Sequence, residues 1–190
     1  MPNWVYNHVT ITGTEEAIAN VKEFLGKKNF MTGDEEIQFN FANLVSIPED
    51  KLEEYNTIHG FQDGEQVGHT EFNWYEWNCA NWGCKWNASD ITENTFPDSI
   101  EYWFTTPWSV PEPVIDALAK YAKGKRIAFE WYAEEEQGWG VEYEFNGHNL
   151  ILVNDWDIPN SHGDYKALGR DCVCEFDDEL RYDDCPKENE

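Results

Sequence analysis

The segment 74–87 concentrates side chains that can hold a charged ligand. It contains the aromatic residues Trp74, Tyr75, Trp77, Trp82 and Trp86, the cysteines Cys79 and Cys84, and Lys85. Because Lys85 lies between Trp82 and Trp86 in the sequence, its ammonium can rest against aromatic faces, which either braces the segment or receives an anion. We favour bracing, since cation–π pairs are common in ordinary structures. The alternative is a small-ligand pocket for an anion or nucleotide, lined by Trp77, Trp82, Lys85, Trp86 and Trp108.

Carboxylates form the second chemical group, and they dominate the charge of the chain. There are 38 acidic and 13 basic residues, which gives a formal net charge of −25. This charge argues against binding to DNA, RNA or anionic membranes, and it favours either simple solubility or attraction to a basic protein surface. The residues that we expect to contact such a partner are Glu134, Glu135, Glu136, Glu142, Glu144, Asp177, Asp178 and Glu179.

Two sets of residues have the chemistry of zinc ligands. They are Cys79 and Cys84 with His59 and His69 upstream, and the later group of Cys172, Cys174 and Cys185. Neither set has the spacing of a recognised zinc motif, and free cysteines most often behave as small buried hydrophobic residues. We therefore expect five free thiols, no bound metal and no cofactor.

Catalysis is the minority interpretation. The sequence contains no phosphate-binding glycine loop, no Gly-x-Ser-x-Gly elbow and no His-Glu-x-x-His motif. Glu134 to Glu136 could act in acid–base chemistry or hold a divalent metal, but adjacent acids at a strand end are more often a solvated rim. No secretory signal is visible at Met1, and no apolar run has membrane-spanning length, so we expect a cytosolic protein.

The elements that must position these residues follow from hydrophobic periodicity. The β-rich run 4–12 predicts a strand, Thr14 predicts the N-cap of an amphipathic helix, and the alternation over 37–47 predicts a second strand. Pro48 ends that strand and begins a short helix, and we expect 74–87 to be ordered but irregular.

The second half of the chain repeats this order. A strand at 100–104, a helix after Pro111 and a strand at 127–132 precede a hairpin over 141–154 with an Asn-Gly turn. Strand, helix, strand, repeated once, is the split βαβ arrangement of ferredoxin-like folds. We therefore predict an α+β protein with an antiparallel sheet and two helices on one face.

This interpretation divides the chain into one domain and a tail. Residues 1–156 form the ferredoxin-like domain, with an aromatic-rich insertion at about 48–98 and the hairpin as a C-terminal extension of the sheet. Residues 157–190 form an acidic extension that is solvated or ordered by a partner.

Several short motifs resemble those of the Api-like proteins of phages and plasmids, a ferredoxin-fold group of unknown function. They are Met1-Pro2-Asn3-Trp4 with Asn7 and Gly13, the run Asn81-Trp82-Gly83-Cys84-Lys85-Trp86-Asn87, the run Phe104 to Pro111, and the strand around 129–134. Cys84 and Pro107 stand where family members usually carry threonine and alanine. The resemblance implies a phage or mobile-element origin and transfers no catalytic residues.

These observations lead to one expected function and its alternatives. We expect an accessory protein that binds and inhibits a host defence protein through an acidic surface that imitates nucleic acid. The alternatives are the small-ligand module described above and an uncharacterised enzyme. Nucleic-acid mimicry requires the carboxylates to form one continuous face, whereas solubility does not.

Overall fold

The computed structural model describes residues 2–33, 35–57, 70–175 and 182–185, and the backbone alone of 60–62 and 65–67. The strands are β1 (Trp4–Gly13), β2 (Gly60–Gln62), β3 (Glu65–Val67), β4 (Ser89–Thr95), β5 (Ser99–Pro107), β6 (Ile127–Glu135), β7 (Gly140–Phe145) and β8 (Leu150–Trp156). The α-helices are α1 (Glu15–Gly26), α2 (Leu52–Tyr55), α3 (Trp74–Asn81), α4 (Glu112–Ala122) and α5 (His162–Ala167), and short 3₁₀ turns occur at Phe41–Asn43, Glu49–Lys51 and Val173–Glu175.

A six-stranded antiparallel sheet in the order β4-β5-β1-β6-β7-β8 organises the chain. Its β4-β5-β1-β6 part has the strand order of a ferredoxin-like fold, with α1 after β1 and α4 after β5. The hairpin β7-β8 extends the sheet beyond β6. The predicted fold class and the predicted C-terminal extension of the sheet are thus confirmed. Within the described residues, no helix is long and apolar enough to cross a bilayer.

The two long helices form where the sequence predicts them. Thr14 caps α1 by accepting a hydrogen bond from the Ala17 amide at 3.3 Å, and α4 begins directly after Pro111. Each helix buries an apolar stripe against the sheet, and the two helices touch through Phe24 and Tyr121, whose rings stack at 4.0 Å. Helices and buried sheet residues together form one hydrophobic core.

The predicted strand over 37–47 is wrong. Phe39 and Phe41 are fully buried, but the chain between them bends into the 3₁₀ turn, where the Asn40 side chain accepts a hydrogen bond from the Ala42 amide at 3.0 Å. The edge strand of the ferredoxin core is instead β4, which lies inside the predicted insertion at about 48–98. The segment inserted between α1 and β4 therefore spans residues 27–88.

Asn87 connects the end of this insertion to the 3₁₀ turn at Phe41–Asn43. Its Oδ1 accepts hydrogen bonds from the Phe41 amide at 2.9 Å and the Ala88 amide at 2.9 Å, while its Nδ2 donates to Asn40 Oδ1 at 2.8 Å. The first half of 74–87 is helical, because Asn73 caps α3 by accepting from the Tyr75 amide at 3.1 Å. The prediction of an irregular segment is correct only for the residues after Asn81.

Asn7 is a buried polar residue at the centre of the mainly apolar sheet face that the helices cover. It is buried in β1, where its Nδ2 donates to Thr106 Oγ1 at 3.1 Å and its Oδ1 accepts from Trp131 Nε1 at 3.0 Å. These bonds join β1 to both of its neighbours, β5 and β6. A buried amide that is satisfied in this way fixes the lateral register of the three central strands.

Replacing Asn7 by alanine is expected to destabilise the fold by about 2 to 4 kcal/mol, because the Trp131 indole N–H and the Thr106 hydroxyl lose a buried partner. Urea unfolding of Asn7→Ala against Asn94→Ala measures this loss. Asn94 is exposed on the edge strand β4 and supplies the matched control. Equal stabilities of the two variants would contradict the role assigned to Asn7.

Candidate functional site

The sheet has two chemically different faces. In a strand, successive side chains point to opposite sides, so the burial of Val5, Val9 and Ile11 under the helices directs the intervening residues of β1 outwards. The register of the neighbouring strands extends this division across the sheet. We call the surface opposite α1 and α4 the open face.

Carboxylates cross the open face in one row. Thr10 of β1 pairs with Glu101 of β5 on one side and with Glu130 of β6 on the other. Glu130 in turn pairs with Glu144 of β7, which pairs with Ile151 of β8. Glu130 and Glu144 are both exposed and stand directly opposite each other. Like charges in this position destabilise a sheet, so their placement is not explained by folding.

A second row, next to the first, is mainly aromatic. Trp103, His8, Tyr132 and Glu142 follow one another across β5, β1, β6 and β7. The rings of His8 and Trp103 stack at 4.6 Å with an interplanar angle of 7°. Tyr132 is 36% exposed, and Tyr6, one row further along, is 53% exposed. The open face therefore combines carboxylates with accessible rings.

The C-terminal extension contacts one corner of this face. Arg170 Nη2 donates to Glu134 Oε2 at 2.5 Å and to the Tyr132 hydroxyl at 3.3 Å, and the Tyr132 hydroxyl also donates to Glu134. The Arg170 guanidinium lies 5.8 Å from the Trp156 ring centre. Burial, followed by the hydrogen bond to Glu134, raises the pKa of Tyr132 to about 12, so its hydroxyl is protonated at neutral pH.

The negative charge of the open face has few basic side chains near it among the described residues. The six strands of the sheet contain no lysine and no arginine. Arg170 reaches the face from the extension, and its charge is engaged by Glu134. Glu101, Glu130 and Glu144 thus lie in one row on this face, in which Thr10 separates Glu101 from the directly paired Glu130 and Glu144.

The predicted contact residues divide into four groups. Glu134, Glu142 and Glu144 share the open face. Glu135 does not, because it points to the helix side, is only 2% exposed and accepts a hydrogen bond from the Gln137 amide at 2.7 Å. Glu136 is exposed in the turn after β6. Asp177, Asp178 and Glu179 lie outside the described residues.

Sequence reasoning missed Glu101 and Glu130. Both alternate with buried residues in strands that the sequence predicts, so their outward direction was available from the period of two. The sequence patterns do not show that β5 and β6 both pair with β1. That pairing brings these carboxylates into one row.

The structure brings Lys85, Trp86 and Trp108 together but places the other two residues of the predicted aromatic pocket in the core. Trp77 and Trp82 are 5% and 2% exposed and belong to the hydrophobic core, where Trp82 Nε1 donates to the Val45 carbonyl at 2.9 Å. An open groove of about 370 Å³ runs beside the insertion, and Trp82 and Trp86 contribute to its lining together with Tyr55, Asn78 and Trp74.

Lys85 is held by rings of its own chain. Its Nζ lies 4.9 Å from the Trp86 ring centre, 5.4 Å from Tyr75, 5.6 Å from Trp108 and 5.7 Å from Trp74. We expected Trp82 to contact Lys85 as well, but Trp82 lies in the hydrophobic core. The arrangement supports the bracing role, since the ammonium already occupies the aromatic surface that an anion pocket would need.

The first predicted set of zinc ligands does not form a site among the described residues. Cys84 is buried, its Sγ donates to the Trp86 carbonyl at 3.2 Å, and burial raises the pKa of its thiol above the ordinary value. Cys79 is exposed on α3. His59 and His69 lie outside the described residues. Cys172, Cys174 and Cys185, by contrast, lie close together.

The like-charge pair on the open face gives a direct prediction. Glu130→Gln is expected to raise the free energy of unfolding by a few tenths of a kcal/mol at low salt, because it removes the repulsion from Glu144. Glu23→Gln, an exposed change on α1, is the control. Urea unfolding at 0.02 M and 0.5 M NaCl measures both, and the gain should shrink at high salt. A loss of stability in Glu130→Gln would contradict the described pairing.

The comparisons with known proteins agree with the architecture. Residues 81–162 match the family model described as a ferredoxin-like domain in Api92-like protein. No curated protein matches the chain. The crystal structure of protein Api92 from Yersinia pseudotuberculosis is similar with a TM-score of 0.54 and 8% sequence identity, over 84% of this chain and 100% of that chain. At this identity the likeness shows the fold, and the resemblance inferred from the sequence motifs is confirmed to that extent.

Proposed function

We propose that this chain binds a partner protein with a basic surface, and that the open face of the sheet is the surface it uses. The observation that carries the proposal is the carboxylate row in a sheet whose six strands contain no lysine or arginine. A charge spread for solubility alone has no reason to place Glu130 and Glu144 directly opposite each other.

The spacing of the row resembles that of a nucleic-acid backbone. Neighbouring strands lie about 4.8 Å apart, so the row from Glu101 across β1 to Glu130 and Glu144 extends over about 14 Å. One strand of DNA places about four phosphates in the same axial length. A protein groove that binds nucleic acid therefore meets a comparable density of negative charge on the open face.

Exposed rings and an apolar residue supply the second part of the contact. Tyr132 lies in the row next to the carboxylates and Tyr6 one row further along, and Ile151, which is 46% exposed, stands at the end of the carboxylate row beside Glu144. Aromatic side chains give much of the binding energy at protein interfaces, whereas charges at the rim mainly set the rate and the specificity of association. The open face offers both in a rigid sheet that needs no rearrangement on binding.

The resemblance to Api-like proteins gives the proposal its biological setting. An accessory protein of a phage or mobile element acts in the cytoplasm of its host, where nucleic-acid-binding defence proteins present basic grooves. By occupying such a groove, this chain would act as an inhibitor that competes with the nucleic acid. The partner class that we propose is therefore a host protein that binds nucleic acid.

The proposal is tested by capture from a bacterial lysate with two baits of equal net charge. The first is Glu101→Gln/Glu130→Gln/Glu144→Gln on the open face. The second is Glu23→Gln/Glu53→Gln/Asp116→Asn, whose three sites are exposed on helices α1, α2 and α4. Mass spectrometry should recover a nucleic-acid-binding protein with the wild type and the helix variant, and about tenfold less with the open-face variant.

Salt dependence separates this mechanism from an apolar contact. The association rate of the purified pair should fall at least about tenfold between 0.05 M and 0.3 M NaCl, because the charges involved are exposed and are screened over about 10 Å at 0.1 M. Equal capture by both baits, or an association rate that does not depend on salt, would overturn the proposal.

A further inference from the structure

The C-terminal extension brings four metal-ligating side chains together. His162 begins α5, Cys172 and Cys174 flank the start of the last 3₁₀ turn, and Cys185 ends the described segment 182–185. Their ligand atoms all lie within 4.8 Å of one another. Three thiols and one imidazole are a complete ligand set for tetrahedral zinc.

Two of the separations between the ligand atoms match those expected around one zinc ion. Cys172 Sγ and Cys185 Sγ are 3.8 Å apart, and Cys174 Sγ is 3.5 Å from His162 Nδ1. Two sulfurs at about 2.3 Å from one tetrahedral zinc lie about 3.8 Å apart, and a sulfur and a nitrogen lie about 3.6 Å apart. A disulfide requires the sulfurs to approach to about 2.05 Å, so Cys172 and Cys185 are free thiols, at a separation that suits two ligands of one metal ion.

The surroundings of the cluster orient its members. The Asp184 carboxylate accepts hydrogen bonds from the His162 and Gly163 amides, both at 2.8 Å, which fixes the first turn of α5 beside the segment that carries Cys185. The Tyr182 amide points to Cys185 Sγ at 3.3 Å. Amide donors to sulfur stabilise a thiolate, and such outer contacts are a general feature of metal sites.

The cluster lies in a part of the chain whose described residues include few buried apolar side chains. Cys172 and Cys174 are buried, yet neither belongs to the main core of the sheet and helices. Helix α5 itself buries no residue. A short segment with so few buried apolar side chains needs another source of stability, and a structural metal supplies it in small folds of this kind.

We propose that His162, Cys172, Cys174 and Cys185 form a structural zinc site that folds the C-terminal extension. Four protein ligands leave no open position, so the site is structural and not catalytic. Thiolates select zinc over calcium and magnesium, which prefer oxygen ligands. The site also holds Arg170, two residues before Cys172, where it contacts Glu134 on the open face.

The test uses the full chain without a histidine tag, purified under reducing conditions. Metal analysis should find about one zinc per chain. After removal of the metal, added Co²⁺ should produce thiolate-to-cobalt charge-transfer absorption and the d–d bands of a tetrahedral site. Cys174→Ser and His162→Ala should weaken Co²⁺ binding at least about 100-fold, whereas Cys79→Ser, which removes an exposed thiol on α3, should not change it.

Hydrogen exchange supplies a second measurement that does not depend on the folding of any variant. Removal of zinc from the wild type should increase amide exchange over 162–175 and leave β1 unchanged. Metal-free protein that shows no tetrahedral cobalt spectrum would overturn the proposal. A Cys172–Cys185 disulfide found by mass spectrometry in the reduced preparation, or unchanged cobalt binding in Cys174→Ser, would also overturn it.

Discussion

The pairing of β1 with both β5 and β6 is the constraint on which the rest of the structure depends. Because side chains alternate along a strand, the burial of one set of β1 residues fixes the direction of every residue in its neighbours. The Asn7 side chain, bonded to Thr106 and Trp131, holds this alignment from inside the core. A shift by one residue would bury Glu101 and Glu130 and expose Tyr102 and Trp131.

The open face is therefore a consequence of the core. The rings that pack under α1 and α4 occupy one side of the strands, and the other side carries the carboxylate row and the accessible tyrosines. The sheet tolerates the repulsion between Glu130 and Glu144 because the apolar face opposite supplies the stability. Proteins depart from the most stable arrangement mainly at functional sites, and the repulsion between Glu130 and Glu144 is such a departure.

Much of the fold can be predicted from the sequence, because β1, α1, β5, α4 and β6 each bury a regular apolar pattern, and the β7-β8 hairpin is marked by its Asn-Gly turn. The errors have physical causes. Strand β4 is an exposed edge with little apolar content, whereas the rings around Phe39 alternate without forming a strand because the Asn40 cap bends the chain. Pairing with β5 decides the first case, and a local side-chain cap that hydrophobic alternation does not report decides the second.

The same limit applies to the two candidate sites. Glu134, Glu142 and Glu144 can be predicted from strand alternation, but the row that joins Glu130 to Glu101 depends on strand order. The cysteine and histidine cluster is harder still, because His162 precedes Cys172 by ten positions and Cys185 follows Cys174 by eleven, and neither interval is a familiar ligand spacing. Only the folding of the extension brings these four side chains together.

The central claim is that the open face occupies the nucleic-acid site of its partner, and a competition experiment tests it most directly. A fluorescently labelled nucleic acid is bound to the captured partner, and its anisotropy is followed as this chain is added. We expect the wild type to release the nucleic acid at a ratio of about one chain per partner binding site, while the open-face variant releases it only at much higher concentration. A stable complex that contains the partner, the nucleic acid and this chain together would contradict the claim.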